Sequence, residues 1–342
     1  MSAITIGGNL IHYEVLGRGR PVILLHTWIG CWRYWIPTMQ QLQLKYRVYA
    51  VDLYGFGDTG KDASHYSIDH QVQLVSDFMN NLGIPKAAFI GHGLGALVAV
   101  EFARLYPDKA PRVLLSGAPL FDPGNLDKRV PAGRIVPLTQ NRPPAALPPP
   151  PLPEVENEAT IMNASSAMRA ALLEAARARA NGAPAPEVPD LTIETAKRVQ
   201  RHNPLQPILG EASAESVLAK SFKRSEPEYD KLLVDLPKTD NKAIQQSVAA
   251  YDSGRMLDTL RLLPMPMVVL HGTDDPVVPV PDENVWHYIT AENTSLLPMP
   301  LPGVRHFPML EYERFIRLVN DFLEAADVSK LEIKERWKRR TR

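Results

Sequence analysis

The stretch GHGLG, residues 91–95, decides the fold of this chain. It follows the apolar run KAAFI at 86–90, which is typical of a buried strand, and precedes ALVAVEFARL at 96–105, where apolar residues recur with helical spacing. A strand, a tight turn of small residues and a helix form a nucleophile elbow, which presents a reactive side chain at the edge of a parallel sheet. The central residue here is Gly93. The sequence therefore predicts an elbow that carries no nucleophile.

Strand and helix patterns alternate around the elbow. A helix is predicted from Ser67, a good N-cap, to about Leu82. Strands are predicted at 10–16, 21–26, 46–53, 87–90 and 112–116. The run at 21–26 is continuously apolar, as in strands that are covered on both faces of a parallel sheet. This alternation predicts an α/β fold with a doubly wound, mainly parallel sheet.

The alternation stops after residue 120. Prolines are dense at 131–153, with four in succession from Pro148 to Pro151, so an extended strap is expected there. Helices are predicted after it, at 157–180, 193–201, 214–223, 228–236 and 241–257. An insertion that leaves the sheet at the carboxyl ends of its strands lies over the ligand crevice. We therefore expect this segment to form a helical cap.

The sheet pattern resumes near residue 266. A strand is predicted at 266–272, a helix at 282–291, a strand at 295–297 and a closing helix at 309–326. The tail from 330 is basic and is expected to be solvated. The predicted organisation is a first part of the α/β core at 1–120, the strap and cap at 121–240, a second part of the core at 241–328 and the basic tail at 329–342.

Composition narrows the class of ligand. Lysine plus arginine equals aspartate plus glutamate at 38 each over 342 residues, so the net charge is zero. No overall field favours nucleic acid, and a small uncharged ligand is expected. Cys31 is the only cysteine, which excludes an internal disulfide and a multi-cysteine metal site. No metal or dinucleotide motif occurs, so no cofactor and no metal are expected.

The expected compartment is the cytoplasm. The first residues, MSAITIGG, have neither the basic nor the apolar segment of a secretion signal, and no apolar run reaches membrane-spanning length. We therefore expect a soluble protein with no membrane span. The sequence leaves the oligomeric state open.

Two further motifs follow the elbow along the chain. HGTDDPVVP occupies 271–279 and GVRHFPMLE occupies 303–311. In the order elbow, acid, histidine, and in these motifs, the sequence resembles the α/β-hydrolase fold family over nearly its whole length. The resemblance implies that Asp275, three residues after Gly272, is the acid and that His306 is the catalytic imidazole, whose tautomer Asp275 fixes. A simpler alternative stays open, in which both Asp274 and Asp275 only shape a turn.

Gly93 departs from the family pattern. The resemblance implies that the residue at this position attacks a carbonyl while the histidine takes its proton, and glycine can do neither. That position is normally held at a strained positive φ, a strain that glycine relaxes. Acyl-enzyme chemistry through residue 93 is therefore impossible in this sequence.

The expected oxyanion site is partly altered. The resemblance implies one donor at the backbone N–H of Leu94 and a second near Trp28, in the loop after the strand 21–26. Where the family commonly carries His-Gly, this chain carries His26 and Thr27. Trp28, Trp32, Tyr34 and Trp35 are expected to wall an apolar pocket, and the candidate pocket residues are His26, Trp32, Ser116 and Cys31.

Other side chains near the elbow were weighed as substitutes. Cys31 lies in the same loop and is an able nucleophile if its thiolate is favoured and faces His306; the alternative is a buried structural cysteine. Ser116 ends the strand next to the elbow and either faces the pocket or hydrogen-bonds a turn. His92 is assigned to packing.

Three functional hypotheses follow. The first is an enzyme acting on a small, largely apolar ester, amide or lactone, in which Asp275 and His306 form an acid–base pair and a water or substrate group lies in the space left by Gly93. The second is a non-catalytic, ligand-binding relative of the hydrolases. The third is a serine hydrolase that was inactivated by a Ser-to-Gly substitution at 93. Retention of the acid and the histidine favours the first and third.

Overall fold

The computed structural model describes residues 2–129 and 203–331. The predicted strap at 131–153 and the predicted helices at 157–180 and 193–201 lie outside the described residues, as does the tail from 332. The fold and the site below are built from the described parts of the chain.

The described residues form one sheet of eight strands in the order β1-β2-β4-β3-β5-β6-β7-β8. The strands are β1 Ser2–Ile6, β2 Asn9–Leu16, β3 Arg20–Leu25, β4 Tyr46–Val51, β5 Ala88–His92, β6 Val113–Ser116, β7 Met267–Gly272 and β8 Leu296–Leu301. The β1–β2 and β2–β4 pairs are antiparallel, and every pair from β4 to β8 is parallel. The prediction of a doubly wound, mainly parallel α/β sheet is confirmed.

Helices cover both faces of the sheet and part of its edge. They are α1 Ile36–Leu42, α2 Ile68–Asn81, α3 Leu94–Leu105, α4 Gln206–Leu209, α5 Ala214–Ser221, α6 Pro227–Leu233, α7 Asn241–Ala249, α8 Ser253–Leu262, α9 Glu283–Thr290, α10 Pro308–Glu311 and α11 Phe315–Glu324. The predicted N-cap of α2 is confirmed, because the Ser67 side chain accepts the N–H of His70. Every residue of β5, β6 and β7 is buried, as expected for central parallel strands.

The structure differs from the sequence prediction at both edges of the sheet. Strand β1 was not predicted, although Gly7 and Gly8 both have positive φ and form the two-residue turn of its hairpin with β2. Strand β8 is longer than the predicted 295–297 and includes Pro298 and Pro300. An edge strand tolerates proline, since one side of its ladder needs no N–H donors.

Two predicted helices are each divided in two. The prediction of one helix at 241–257 was wrong: α7 ends at Ala249, and α8 begins after Asp252, whose carboxylate accepts the N–H of Arg255. The closing helix predicted at 309–326 is the short α10 followed by α11. A helix begins where a side chain satisfies its first N–H groups, so a good cap inside an apolar pattern divides it.

Helices α4 to α8 lie between β6 and β7 in the chain; α4 to α6 fall within the predicted cap at 121–240, and α7 and α8 lie beyond it. Their contacts reach loops that follow the carboxyl ends of the strands. The Trp28 indole N–H donates to Ser247 Oγ of α7 at 3.1 Å, and the Tyr251 hydroxyl donates to the Pro119 carbonyl at 2.7 Å. These helices therefore cover the edge of the sheet where the elbow lies.

The elbow packs without room for side chains. A Cβ at Gly91 would lie 2.7 Å from the carbonyl carbon of Gly95 and 2.8 Å from Cα of Ala96, and a Cβ at Gly95 would meet the backbone of Leu25. Gly93 has φ of +51° and directly precedes α3. The glycines thus bring the turn against its own helix and against β3.

We expect Gly91→Ala to lower the free energy of unfolding by about 3 kcal/mol, because the added methyl group meets backbone atoms that cannot move aside. Gly60→Ala is the matched control, since its nearest neighbour would be Asn9 Oδ1 at 3.4 Å. The change in Gly60→Ala should stay within about 1 kcal/mol. Urea denaturation followed by circular dichroism measures both. Equal stability of the two variants would show that the elbow backbone yields easily.

Candidate active site

The acid and the histidine predicted from the sequence meet in the structure. His306 Nδ1 lies 2.8 Å from Asp275 Oδ2, and their side chains are 0% and 1% exposed. Asp275 follows β7, and its Oδ1 accepts the backbone N–H groups of Val277 and Val278 at 2.8 and 2.9 Å. A carboxylate that accepts three N–H groups fixes the imidazole with its proton on Nδ1. Nε2 of His306 is then an acceptor.

The environment keeps Asp275 ionised. Burial alone would raise the pKa of this carboxyl, but the adjacent His306 and the two backbone N–H groups lower it below its ordinary value. An ionised carboxylate at this place stabilises a positive charge on His306 when the ring takes a proton.

Gly117, which sequence analysis missed, makes room for this pair. Its φ is +54°, and a Cβ there would lie 3.2 Å from His306 Cε1 and 3.3 Å from Nδ1. The ring therefore lies against bare backbone at the end of β6. A glycine directly after a predicted strand was the available signal.

Thr27 faces His306 on the side opposite Asp275. Thr27 Oγ1 lies 3.1 Å from His306 Nε2, and Thr27 is fully buried. Sequence analysis treated Thr27 only as a replacement for the family's usual glycine in the oxyanion loop. It missed the contact of its hydroxyl with the imidazole because the two residues are 279 positions apart.

Thr27 also fills the space beside Gly93. A Cβ at Gly93 would overlap Thr27 Oγ1, and it would lie 2.9 Å from Thr27 Cβ and 3.0 Å from Cζ3 of Trp28. The expectation that a water or a substrate group lies in the space left by Gly93 is therefore wrong for this structure. A threonine side chain fills that space instead.

Of the three predicted wall tryptophans, Trp28 lies at the site, and Trp35 packs on His92 and Phe315. Trp28 is fully buried, its ring stacks on His306 with centroids 6.4 Å apart, and its N–H reaches Ser247. Trp32 packs on His12 instead, with centroids 5.9 Å apart. Trp28 therefore covers His306 on the side of the insertion helices.

His26 and His92 hold the loops around the site. His26 donates from Nδ1 to the Thr27 carbonyl at 2.7 Å and accepts the Leu53 N–H at Nε2 at 2.9 Å. His92 donates from Nε2 to the His306 carbonyl at 2.8 Å, and its Nδ1 lies 3.1 Å from the Tyr34 hydroxyl. Burial lowers the pKa of both rings, so they stay neutral. Their hydrogen bonds therefore hold the loops at all ordinary pH values.

The two backbone donors predicted for an oxyanion remain available. Neither the N–H of Leu94, the first residue of α3, nor that of Trp28 has a hydrogen-bond partner within 2–129 and 203–331. The N-terminus of α3 also adds partial positive charge. Ser116 lies next to the elbow, and its carbonyl accepts the Gly93 N–H at 2.9 Å. Its buried hydroxyl has no hydrogen-bond partner among the described residues.

Cys31 lies in a different environment from His306. Its thiol is buried near the carboxylates of Asp235 and Asp52. Burial raises the pKa of the thiol far above its ordinary value, and the two carboxylates raise it further. This environment disfavours the thiolate that a substitute nucleophile would need.

A His–Asp–Asp group was missed by sequence analysis. In the described part of the chain, only His12, Asp52 and Asp58 place possible metal ligands within 4.8 Å of one another. Asp52 accepts from His12 Nδ1 at 2.8 Å and from the Trp32 and Asp58 N–H groups, while the Lys238 ammonium lies 2.7 Å from Asp58. These partners already hydrogen-bond the carboxylates, so the group fits a loop anchor and not a metal site.

The fold of this chain matches that of a known protein family. The sequence model of the alpha/beta hydrolase fold matches residues 20–288. The chain belongs to the α/β-hydrolase family. No helix among the described residues of this hydrolase-family chain is both long and apolar enough to span a membrane.

Curated relatives match over part of their length. The chain is 31% identical over 122 residues to bifunctional epoxide hydrolase 2 of Rattus norvegicus, which is 34% of this chain and 22% of the relative. It is 28% identical over 119 residues to 2-hydroxy-6-oxo-2,4-heptadienoate hydrolase of Pseudomonas putida, 34% of this chain and 43% of the relative. The matched stretches are less than half of each relative.

Among solved structures, the enol-lactonase from Burkholderia xenovorans superposes with a TM-score of 0.58 at 16% identity, over 95% of this chain and all of that one. At this identity, the likeness is evidence for the shared fold alone.

His271, at the end of β7, should make stability fall on acidification. Its Nε2 donates to the Ala118 carbonyl at 2.7 Å, and burial lowers its pKa from 6.5 to about 4. Between these values the unfolded chain binds a proton that the folded chain does not, so stability is lost as pH falls through this window. The gap corresponds to about 3 kcal/mol.

Chemical denaturation at several pH values between 7 and 4 measures this loss. We expect His271→Gln to remove about 3 kcal/mol of it, whereas His287→Gln, at an exposed position of α9, should leave it unchanged. If His271→Gln kept the full pH dependence, the ring would take its proton without unfolding.

Cys31 should be unreactive in the folded protein. At pH 8 the native chain is expected to react with Ellman's reagent far more slowly than the chain in urea, because burial keeps the thiol protonated and covered. Absorbance of the released thiolate follows both reactions. Equal rates in the native and the unfolded chain would show that reagents reach the thiol. Cys31 would then again be a candidate nucleophile.

Proposed function

We propose that this protein hydrolyses a small, largely apolar ester, lactone or amide with Asp275 and His306 as its acid–base pair and with no serine nucleophile. The observation that carries the proposal is the buried 2.8 Å contact between Asp275 and His306, which leaves Nε2 as a proton acceptor. A pair in this state is what general-base catalysis needs.

The proposed reaction uses each group in a defined role. The nucleophile is a hydroxyl group, of water or of a side chain other than serine. His306 Nε2 accepts its proton, and Asp275 stabilises the imidazolium that forms. The backbone N–H groups of Leu94 and Trp28 hold the negative charge that develops on the carbonyl oxygen. His306 then returns the proton to the leaving group. An aligned general base contributes about 10²–10⁴-fold to the rate.

The proposed substrate class is inferred from the residues that line the site. Trp28 and Phe307 border the imidazole, with the Phe307 ring 5.3 Å from that of His306. The chain has no net charge that would attract an ion. Two curated relatives are named as hydrolases of epoxides and of an oxo-heptadienoate. These features favour a small molecule with an apolar body.

A non-catalytic binding protein is the second candidate. It is favoured by the burial of Thr27, Trp28 and His306, since His306 is only 1% exposed and a substrate must be able to reach its imidazole. The packing of Thr27 on Gly93 argues against the third hypothesis, an inactivated serine hydrolase. A serine at this position would overlap the threonine hydroxyl.

A panel of p-nitrophenyl esters and γ- or δ-lactones tests the proposal. We expect turnover by the protein, a loss of 10²–10⁴-fold in kcat/KM for His306→Ala, and unchanged activity for the exposed control His287→Gln. Absence of turnover across the panel, with saturable binding of the same compounds by calorimetry, would favour the binding protein.

A further inference from the structure

Two departures from the family pattern lie in contact. Gly93 lacks the expected nucleophile, and Thr27 stands where a glycine is usual in the neighbouring loop. The hydroxyl of Thr27 fills the space beside Cα of Gly93 and lies 3.1 Å from His306 Nε2. A side chain at 93 would require Thr27 to shift, because its Cβ would lie 2.9 Å from Thr27 Cβ. The residues at 27 and 93 therefore depend on each other in the structure.

We propose that the Thr27 hydroxyl is the nucleophile of this protein, moved from the elbow to the facing loop. The proposal rests on the hydrolytic function proposed above and names the group that attacks. Thr27, His306 and Asp275 then form the complete series of hydroxyl, imidazole and carboxylate, joined by contacts of 3.1 and 2.8 Å.

The direction of the hydrogen bonds supports this role. Because Asp275 holds the proton on Nδ1, Nε2 of His306 accepts, and the Thr27 hydroxyl donates to it. This is the arrangement in which a base activates a hydroxyl nucleophile. The buried hydroxyl of Ser116 has no such partner among the described residues, and the thiol of Cys31 lies beside carboxylates.

The backbone of Thr27 is held on both sides. Its N–H donates to the Tyr34 hydroxyl at 2.9 Å, and its carbonyl accepts from His26 Nδ1 at 2.7 Å. Tyr34 is itself held by His92 at 3.1 Å. A reactive group on a loop needs such support, since a misplacement of about 1 Å already costs rate. The fixed backbone keeps the hydroxyl aimed at the imidazole.

The reaction balances with water as the only co-reactant. The Thr27 hydroxyl gives its proton to His306 Nε2 as its oxygen bonds to the substrate carbonyl carbon. The tetrahedral intermediate then breaks the bond to the leaving oxygen, which takes the proton from His306 and departs as an alcohol. Water, deprotonated by His306, attacks the acyl-threonine ester. The acid leaves, and the proton returns to the Thr27 oxygen.

A covalent adduct on Thr27 is the readout that a merely structural threonine would not give. The protein is treated with p-nitrophenyl acetate and, separately, with a fluorophosphonate, and the modified peptide is located by mass spectrometry. We expect one adduct, on the peptide that contains Thr27, and no adduct in His306→Ala.

Two substitutions at 27 separate the hydroxyl from the shape of the side chain. Thr27→Val keeps the branched shape and removes the oxygen, so we expect loss of the adduct and a fall in kcat of at least 10²-fold. Thr27→Ser keeps the oxygen and should retain the adduct, with kcat within about tenfold. Thermal melting by circular dichroism checks that both variants fold.

A second pair of variants tests whether the nucleophile has moved from position 93 to position 27. Gly93→Ser alone should not gain activity, because its side chain overlaps Thr27. The double variant Thr27→Gly with Gly93→Ser should hydrolyse the esters and carry the adduct at position 93. Higher activity of Gly93→Ser alone than of the unchanged protein would contradict this move of the nucleophile.

The outcomes distinguish this inference from the proposed function. If the protein hydrolyses esters and Thr27→Val does so equally well, the inference is overturned while the hydrolytic function stands. If Thr27 takes the fluorophosphonate but no ester or lactone is hydrolysed, the nucleophile is supported and the substrate class fails. If neither reagent modifies Thr27 and no ester is hydrolysed, both fail.

Discussion

The buried contact between Asp275 and His306 is the interaction on which the rest of the site depends. A carboxylate inside a protein is costly unless hydrogen bonds surround it, and here two backbone N–H groups and an imidazole do so. In return the carboxylate determines which ring nitrogen is protonated. It thereby sets the direction of the hydrogen bond to Thr27 and the chemistry open to that hydroxyl.

Thr27 and Gly93 show that a missing residue is best interpreted together with its neighbours in space. Taken alone, Gly93 suggests a disabled site. The structure adds that the opposite loop supplies a hydroxyl at the same place, held by the same imidazole. The elbow keeps its small glycines because β5, α3 and β3 still pack backbone against backbone there.

The sequence predicted the central strands from local signals, because continuous apolar runs marked β3 and β7. The acid–histidine pair was implied by the resemblance of the motifs at 271–279 and 303–311 to those of the α/β-hydrolase family. The sequence did not indicate β1 or the contact between Thr27 and His306, and the predicted β8 stopped before Pro298. Those features depend on edge pairing or on contacts between residues far apart in the chain, which local periodicity does not record.

The hydrogen bond from the Trp28 indole to Ser247 joins the loop beside the imidazole to α7. Trp28 also carries one of the two expected oxyanion donors on its backbone. Any displacement of α7 by a bulky ligand would therefore be transmitted to this proposed donor. In an evolving lineage, substitutions in the insertion could then alter turnover and selectivity together, with no change in the residues that touch the reacting atoms.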